Sequence, residues 1–155
     1  MKASSYILLL SALVFFGCAK VNVFEKNIAF REHEWSSAEK PQVAFEIEDT
    51  TVLYNVYIVF RHADAYNYNN VWLRCTVITP DSQKRTQQYE LTLANNKDGW
   101  LGSGMDDIYE HRILIQKQTK FSKPGTYQFQ FEQVMREDPL EHVLNVGLRI
   151  EKATP

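Results

Sequence analysis

The chain has 155 residues, with 17 Lys and Arg against 19 Asp and Glu and a formal charge of −2 at neutral pH. A balance this close to neutral lacks the basic patch that nucleic acid selects, so no nucleic-acid partner is expected. Two cysteines cannot build a disulfide framework, and a domain of this size must be held by packing and hydrogen bonds.

The N-terminus opens with Met1 and the cationic Lys2, runs through an apolar stretch from Tyr6 to Phe16, and reaches Gly17 and Cys18. That is the three-part layout of an export signal. The apolar run is about half of the roughly 20 residues a helix needs to cross a bilayer, and no later stretch is uniformly apolar over such a length. Phe15-Phe16-Gly17-Cys18 resembles the lipobox of bacterial lipoproteins, in which the thiol is acylated and the chain is cut just before it. The bulky Phe15 departs from the usual Leu. The expected organisation is a signal peptide over residues 1–17, a lipidated Cys18 with a short tether or first strand over 18–30, and a β domain over 31–155. Several acyl chains at about 0.8 kcal/mol per buried CH₂ would anchor Cys18 permanently to a membrane.

From Gln42 onward the hydrophobic period is two. Val43, Phe45 and Ile47 alternate with Ala44, Glu46 and Glu48, which predicts a half-buried strand. Val52 to Arg61 places Tyr54, Val56, Ile58 and Phe60 on one face, and Tyr57 with Val59 makes the other face partly apolar, so this strand is expected to be central and covered on both sides. Val71 to Thr79 repeats the alternation and stops at the Pro80-Asp81-Ser82 turn; Cys75 shares its parity with Val71, Leu73 and Val77 and reads as a small buried hydrophobe. Tyr89, Leu91 and Leu93 form a further strand, ending in the Asn95 to Gly99 turn.

Ile108 to Lys117, Tyr127 to Glu132 and Leu144 to Glu151 complete the set, with a possible eighth strand around Val21 to Phe30. Met105 to Tyr109 is open to a single helical turn, and Gly102-Ser103-Gly104 reads as a flexible loop. Seven or eight short alternating strands predict an all-β fold, a single antiparallel β-sandwich of Ig-like or jelly-roll-like type, with a closed barrel as the alternative.

Catalytic signatures are scarce. Gly102-Ser103-Gly104 lacks the spacing and the α/β setting of a nucleophile elbow. No P-loop, zincin or clustered Cys/His pattern is present, and His62 with Asp64, two apart on a strand end, reads as a local hydrogen bond before a metal pair. No enzyme activity, metal or cofactor is expected. The richer cluster mixes aromatic and polar side chains: Tyr54, Tyr57, Arg61, His62, Tyr66, Tyr68, Asn69, Asn70 and Trp72. Tyr and Trp join a large apolar face to one polar tip, a combination suited to protein interfaces and sugar faces. For Tyr54 and Trp72, packing in the sheet is the simpler account.

At these residues the chain resembles the gliding-motility lipoprotein GldH family of the Bacteroidetes. The likeness includes His33-Glu34-Trp35, Asp49-Thr50-Thr51 leading to Leu53-Tyr54-Asn55-Val56-Tyr57, and Arg61-His62 with Tyr66, Tyr68, Asn70 and Trp72. It continues through Asp98-Gly99-Trp100-Leu101-Gly102-Ser103-Gly104, Gln133 to Leu140, and Val146-Gly147-Leu148-Arg149. The resemblance implies a lipid-anchored, non-enzymatic component of the gliding or related type IX secretion machinery, with no catalytic residues to carry over.

Two readings of function follow. The first is an interaction protein that docks other envelope proteins of the motility or secretion machinery through Arg61, His62, Tyr66, Tyr68, Trp72, Trp100, Arg136 and Asp138. The second is a carbohydrate-binding lipoprotein that uses Tyr66, Tyr68, Trp72 and Trp100 as a sugar platform. The membrane enters both through the anchor on Cys18.

Overall fold

The structure is a computed structural model that describes residues 23–153. The expected signal peptide and the expected lipidation site at Cys18 lie outside the described residues. Eight long strands carry the fold: β1 (Val23–Ala29), β3 (Gln42–Ile47), β4 (Tyr54–Ala63), β5 (Asn70–Ile78), β6 (Lys84–Thr92), β10 (Ile108–Thr119), β11 (Gly125–Gln133) and β13 (Val143–Lys152). Between them sit five short strands: β2 (Glu34–Trp35), β7 (Ala94–Asn95), β8 (Gly99–Trp100), β9 (Ser103–Met105) and β12 (Leu140–Glu141), with one 3-10 turn at Arg31–His33.

One sheet runs in the order β1-β13-β4-β10-β9 and the other in the order β3-β11-β5-β6, with all pairings antiparallel. Apart from the β5–β6 hairpin, each long strand lies in the opposite sheet from the one before it. This is the connectivity of a jelly roll, which settles the choice between the two sandwich types. The first half of β6, Lys84 to Gln88, is polar on both faces and shows no alternation, so the strand begins five residues before the stretch that periodicity marks. Instead of a helical turn, Ser103–Met105 pairs with Ile108–Glu110 as a hairpin, and the Gly-Ser-Gly segment is largely strand.

The facing sides form the core. Val56, Ile58 and Phe60 on β4 and Val146, Leu148 and Ile150 on β13 meet Val71, Leu73 and Cys75 on β5 and Phe129 and Phe131 on β11, all nearly inaccessible. Each such aliphatic or aromatic side chain stabilises the fold by about 1.5–3 kcal/mol. Aromatic contacts join the sheets at one end of the sandwich, from Phe24 on β1 to Phe45 on β3 (4.9 Å between centroids) and from Tyr54 through Phe121 to Tyr127.

The registers define two ends. Val23, Ile47, Tyr54, Ile78, Lys84, Thr119, Gly125 and Lys152 mark one, which holds the entry of the chain into β1; Ala29, Ala63, Asn70, Thr92, Ile108, Gln133 and Val143 mark the other. Ten-residue β4 spans the distance between them, about 30 Å at about 3.3 Å per residue.

Candidate functional site at the far end of the sandwich

At the end opposite the chain's entry, His62 forms the centre of an aromatic cluster. Its ring lies 4.4 Å from that of Trp100, 5.1 Å from Tyr66, 5.9 Å from Tyr109 and 5.1 Å from His111. On the neighbouring strands β4 and β10, His62 stands opposite Tyr109 and His111 opposite Phe60, so the two inward-pointing imidazoles meet on the diagonal.

Trp100 arrives by a different route. Asn95 turns the chain by accepting hydrogen bonds from the Lys97 and Asp98 amides (2.9 and 2.7 Å), Gly99 takes a left-handed φ of 68°, and the β7–β8 ribbon lays the indole on His62. The indole Nε1–H then donates to Asp64 Oδ1 at 2.8 Å.

The segment 99–107 acts as a flap over the histidines. The Leu101 amide donates to the Leu93 carbonyl, and the Asp64 amide to the Asp107 carbonyl. A Cβ on Gly102 would lie 2.6 Å from the Glu110 carbonyl oxygen and 2.9 Å from the His111 ring, so the flap closes down only because residue 102 has no side chain. It exposes two large apolar side chains, Leu101 (47%) and Met105 (78%), beside the polar Ser103, Asp106 and Asp107.

The two imidazoles share one hydrogen bond. The Ala63 carbonyl only accepts, so His62 Nδ1 carries a proton and donates at 2.8 Å. His62 Nε2 is therefore the acceptor of the His111 Nε2–H, at 3.0 Å. Burial holds both rings neutral: His111 is lowered to about 4 by desolvation and then by the neighbouring His62, and His62 is lowered by desolvation against smaller opposing contributions from the Ala63 carbonyl and Asp64. Asp64 is turned to Trp100, away from the His62 ring nitrogens.

The residues singled out in the sequence divide by position. His62, Tyr66, Tyr68 and Trp100 come together; the Tyr66 hydroxyl donates to the Asn70 carbonyl, and burial pushes its phenol up. Tyr68 lies close to Glu137, whose carboxylate raises its pKa, so loop 64–69 borders the loop that carries Arg136 and Asp138. Asp138 accepts from the Ser37 amide at 2.8 Å and from its hydroxyl, which lowers its carboxyl, while Arg136 is exposed. Trp72 stands on the outside of β5, 36% exposed, its amide against the Met135 sulfur. The four rings considered as a sugar platform do not form one: Tyr66 is 4% exposed, Trp100 packs on His62, and Trp72 lies on the outer face of the other sheet.

Arg61 belongs elsewhere. On the outer face of the β1-β13-β4-β10 sheet, Arg61, Glu110, Arg112, Glu25, Arg149 and Glu151 form a continuous chain of alternating charges. Arg112 lies 2.7 Å from Glu110 and 3.0 Å from Glu25, and Arg149 lies 2.8 Å from Glu25. Arg112 stands opposite Val59, which is fully buried on this outward side, so among the described residues the second covering of β4 is a lattice of ion pairs. Gly147 leaves the space: a Cβ there would lie 1.9 Å from Asn27 Oδ1.

His111, Tyr109, Leu101 and Met105 were not among the expected site residues. The parity of β10 already placed Tyr109 and His111 on one face, but nothing local in the sequence pairs His111 with His62.

The sequence model of the family described as GldH lipoprotein matches residues 22–150. A protein of Christiangramia forsetii named as a gliding motility lipoprotein GldH homolog is 29% identical over 161 residues, covering 97% of this chain and 96% of its own length. Gliding motility lipoprotein GldH of Flavobacterium johnsoniae is 31% identical over 160 residues, covering 96% of each chain. Among solved structures, a carbohydrate-binding module specific for non-crystalline cellulose aligns with 83% of this chain and 70% of its own at 10% identity and a TM-score of 0.39, which bears on neither fold nor function.

Proposed function

The chain belongs to the GldH lipoprotein family, and from that premise we propose that it is a non-enzymatic docking component of the gliding or related type IX secretion machinery, lipid-anchored through Cys18. In this reading the anchor lies at one end of the sandwich and the partner-binding surface at the other. The observation that carries it is the direction of β1. Val23 follows Cys18 by five residues, so the lipid is at most about 18 Å from the start of β1 at about 3.5 Å per residue. The flap with its exposed Leu101 and Met105 then stands a further strand length away, about 30 Å at about 3.3 Å per residue.

Such an arrangement suits a tethered domain that reaches for partners. Large exposed apolar side chains on a rigidly seated loop are the usual anchors of a protein interface. The flap is seated by Trp100, Gly102 and the histidine pair, which holds Leu101 and Met105 in place before any partner arrives.

Affinity purification from the native cells, with the wild-type protein beside a Leu101→Ser, Met105→Ser double variant, tests this reading. The wild type should recover envelope proteins of the motility or secretion machinery and the variant should lose them while remaining membrane-bound. Equal recovery by both would contradict the assignment of the docking surface. Acyl groups absent from Cys18 by mass spectrometry would remove the anchor.

A further inference from the structure

The sandwich is open along one side, toward the end where the chain enters. β6 is the outer strand of its sheet, and β9 covers β10 only from Ile108 to Glu110. Between β6 and the second half of β10 lies a cleft of about 690 Å³, reaching down to Cys75 and Phe129. That volume falls in the range of small-molecule sites, about 300–1,000 Å³.

Polar residues occupy core-facing positions on both walls. Register sets Tyr89 opposite Leu73, Gln87 opposite Cys75 and Arg85 opposite Val77, so β6 turns an arginine and an amide to the side on which Leu91 is buried. On β10, register shifts after Leu114 and after Gln116 bring Gln116 opposite Val56 and Thr119 opposite Tyr54, both core residues. Bulges re-aim side chains in this way. Tyr89 and Gln116 line the cleft from its two walls. Tyr127, Phe121 and Phe129 close the bottom, only 4%, 7% and 1% exposed, so the side chains open to a ligand are those of the polar walls.

Charge narrows the ligand class. Arg85 and Lys120 line the cleft and make no ion pair among the described residues, whereas Lys123 is paired with Asp81 at its rim. The open cations call for an anion. The amides and hydroxyls of Gln87, Gln116, Thr119 and Tyr89 match ring hydroxyls, and the half-buried Tyr89 ring offers one aromatic face to a sugar ring. An extended peptide fits less well, because the free backbone donors and acceptors of β6 lie along the sheet plane, away from the cleft.

We propose that this cleft binds an acidic oligosaccharide, a short run of uronic-acid sugars with its carboxylate on Arg85 and Lys120. The inference goes beyond the docking reading and requires neither the lipid on Cys18 nor the flap. The same sugar chemistry can be offered by a free polysaccharide or by a glycolipid headgroup.

Calorimetry on the full-length protein in detergent, with trigalacturonate, cellotriose and hexaglutamate as probes, tests it, together with sedimentation with glucuronosyl-diacylglycerol vesicles. Trigalacturonate or the glycolipid vesicles should bind, and whichever does identifies the source; cellotriose and hexaglutamate should bind at least tenfold more weakly. Arg85→Ala should weaken the sugar at least tenfold, and Gln87→Leu, which keeps every charge, at least fivefold. Lys84→Ala, one residue along on the outward face, should change it less than twofold. No binding to either sugar probe, tighter binding of hexaglutamate, or equal losses from Lys84→Ala and Arg85→Ala would each overturn the proposal.

Discussion

His62 and His111 place their Nε2 atoms 3.0 Å apart beneath Trp100 and the flap, joined by a single proton. A second proton, on His62 Nε2, would set two N–H groups against each other and bury a positive charge with no carboxylate hydrogen-bonded to either ring. The pair is therefore a neutral device, and its neutrality ties stability to pH. The folded pKa of His111 lies near 4, below the ordinary histidine value, so the unfolded chain binds more protons between those two points. Stability is fully present above the unfolded pKa of about 6.5 and falls as pH drops toward 4, by up to about 1.4 kcal/mol per pH unit. Urea midpoints should decline between pH 6.5 and 4.5, above the range in which the salt-bridged carboxylates protonate. In His111→Gln that slope should be much shallower, and an unchanged slope would place its origin elsewhere.

Glycines 102 and 147 are fixed by contact. A methyl group at 102 meets the Glu110 carbonyl and the His111 ring, and one at 147 meets Asn27 Oδ1 and the Lys26 carbonyl. Gly102→Ala and Gly147→Ala should each lower stability by about 1–3 kcal/mol, the usual cost of overpacking. Thermal melts should show both losses, and only Gly102→Ala should increase the exposure of Trp100 measured by fluorescence quenching.

Glu25 holds two arginines at once. Burial raises its pKa, but hydrogen bonds and charge from Arg112 and Arg149 outweigh burial and hold the carboxyl below its ordinary value. Because the arginines are partly exposed, Glu25→Gln should cost only about 1 kcal/mol at low salt, less in 1 M salt. A cost that does not change with salt would argue against an electrostatic role.

Cys75 should be inert in the folded protein. Burial pushes its thiol up to about 12 and leaves it 2% exposed. In a Cys18→Ser variant, an aromatic disulfide reagent should label no thiol under native conditions and one thiol in urea. Rapid native labelling would show that the cleft floor opens.

Seven of the long strands were legible because a half-buried strand must alternate, and Tyr127, Phe129 and Phe131 against Gln128, Gln130 and Glu132 are the plainest case; β1, without alternation, was only a possible eighth. What periodicity cannot carry is which sheet a strand joins, so the jelly-roll connectivity emerged only from pairings such as β1 with β13, the first and last strands of the fold. The start of β6 was silent for a chemical reason: its inward face opens on the polar cleft, and Arg85 and Gln87 give no hydrophobic signal there. The candidate site was half legible. Residue types marked His62, Tyr66, Tyr68 and Trp100 as notable, yet their convergence depends on a ribbon returning from Asn95, and the lattice joining Glu25 to Arg112 and Arg149 spans the whole chain.

The central claim is polarity: anchor at the Val23 end, partners at the flap end. Site-specific photo-cross-linking in living cells tests it most directly, with a photoreactive side chain placed at Met105 in one strain and at Thr51, in the exposed turn near the opposite end, in another. The structure predicts a discrete cross-link to an envelope protein from position 105 and none of comparable yield from position 51. A dominant protein cross-link from position 51, with none from 105, would contradict it.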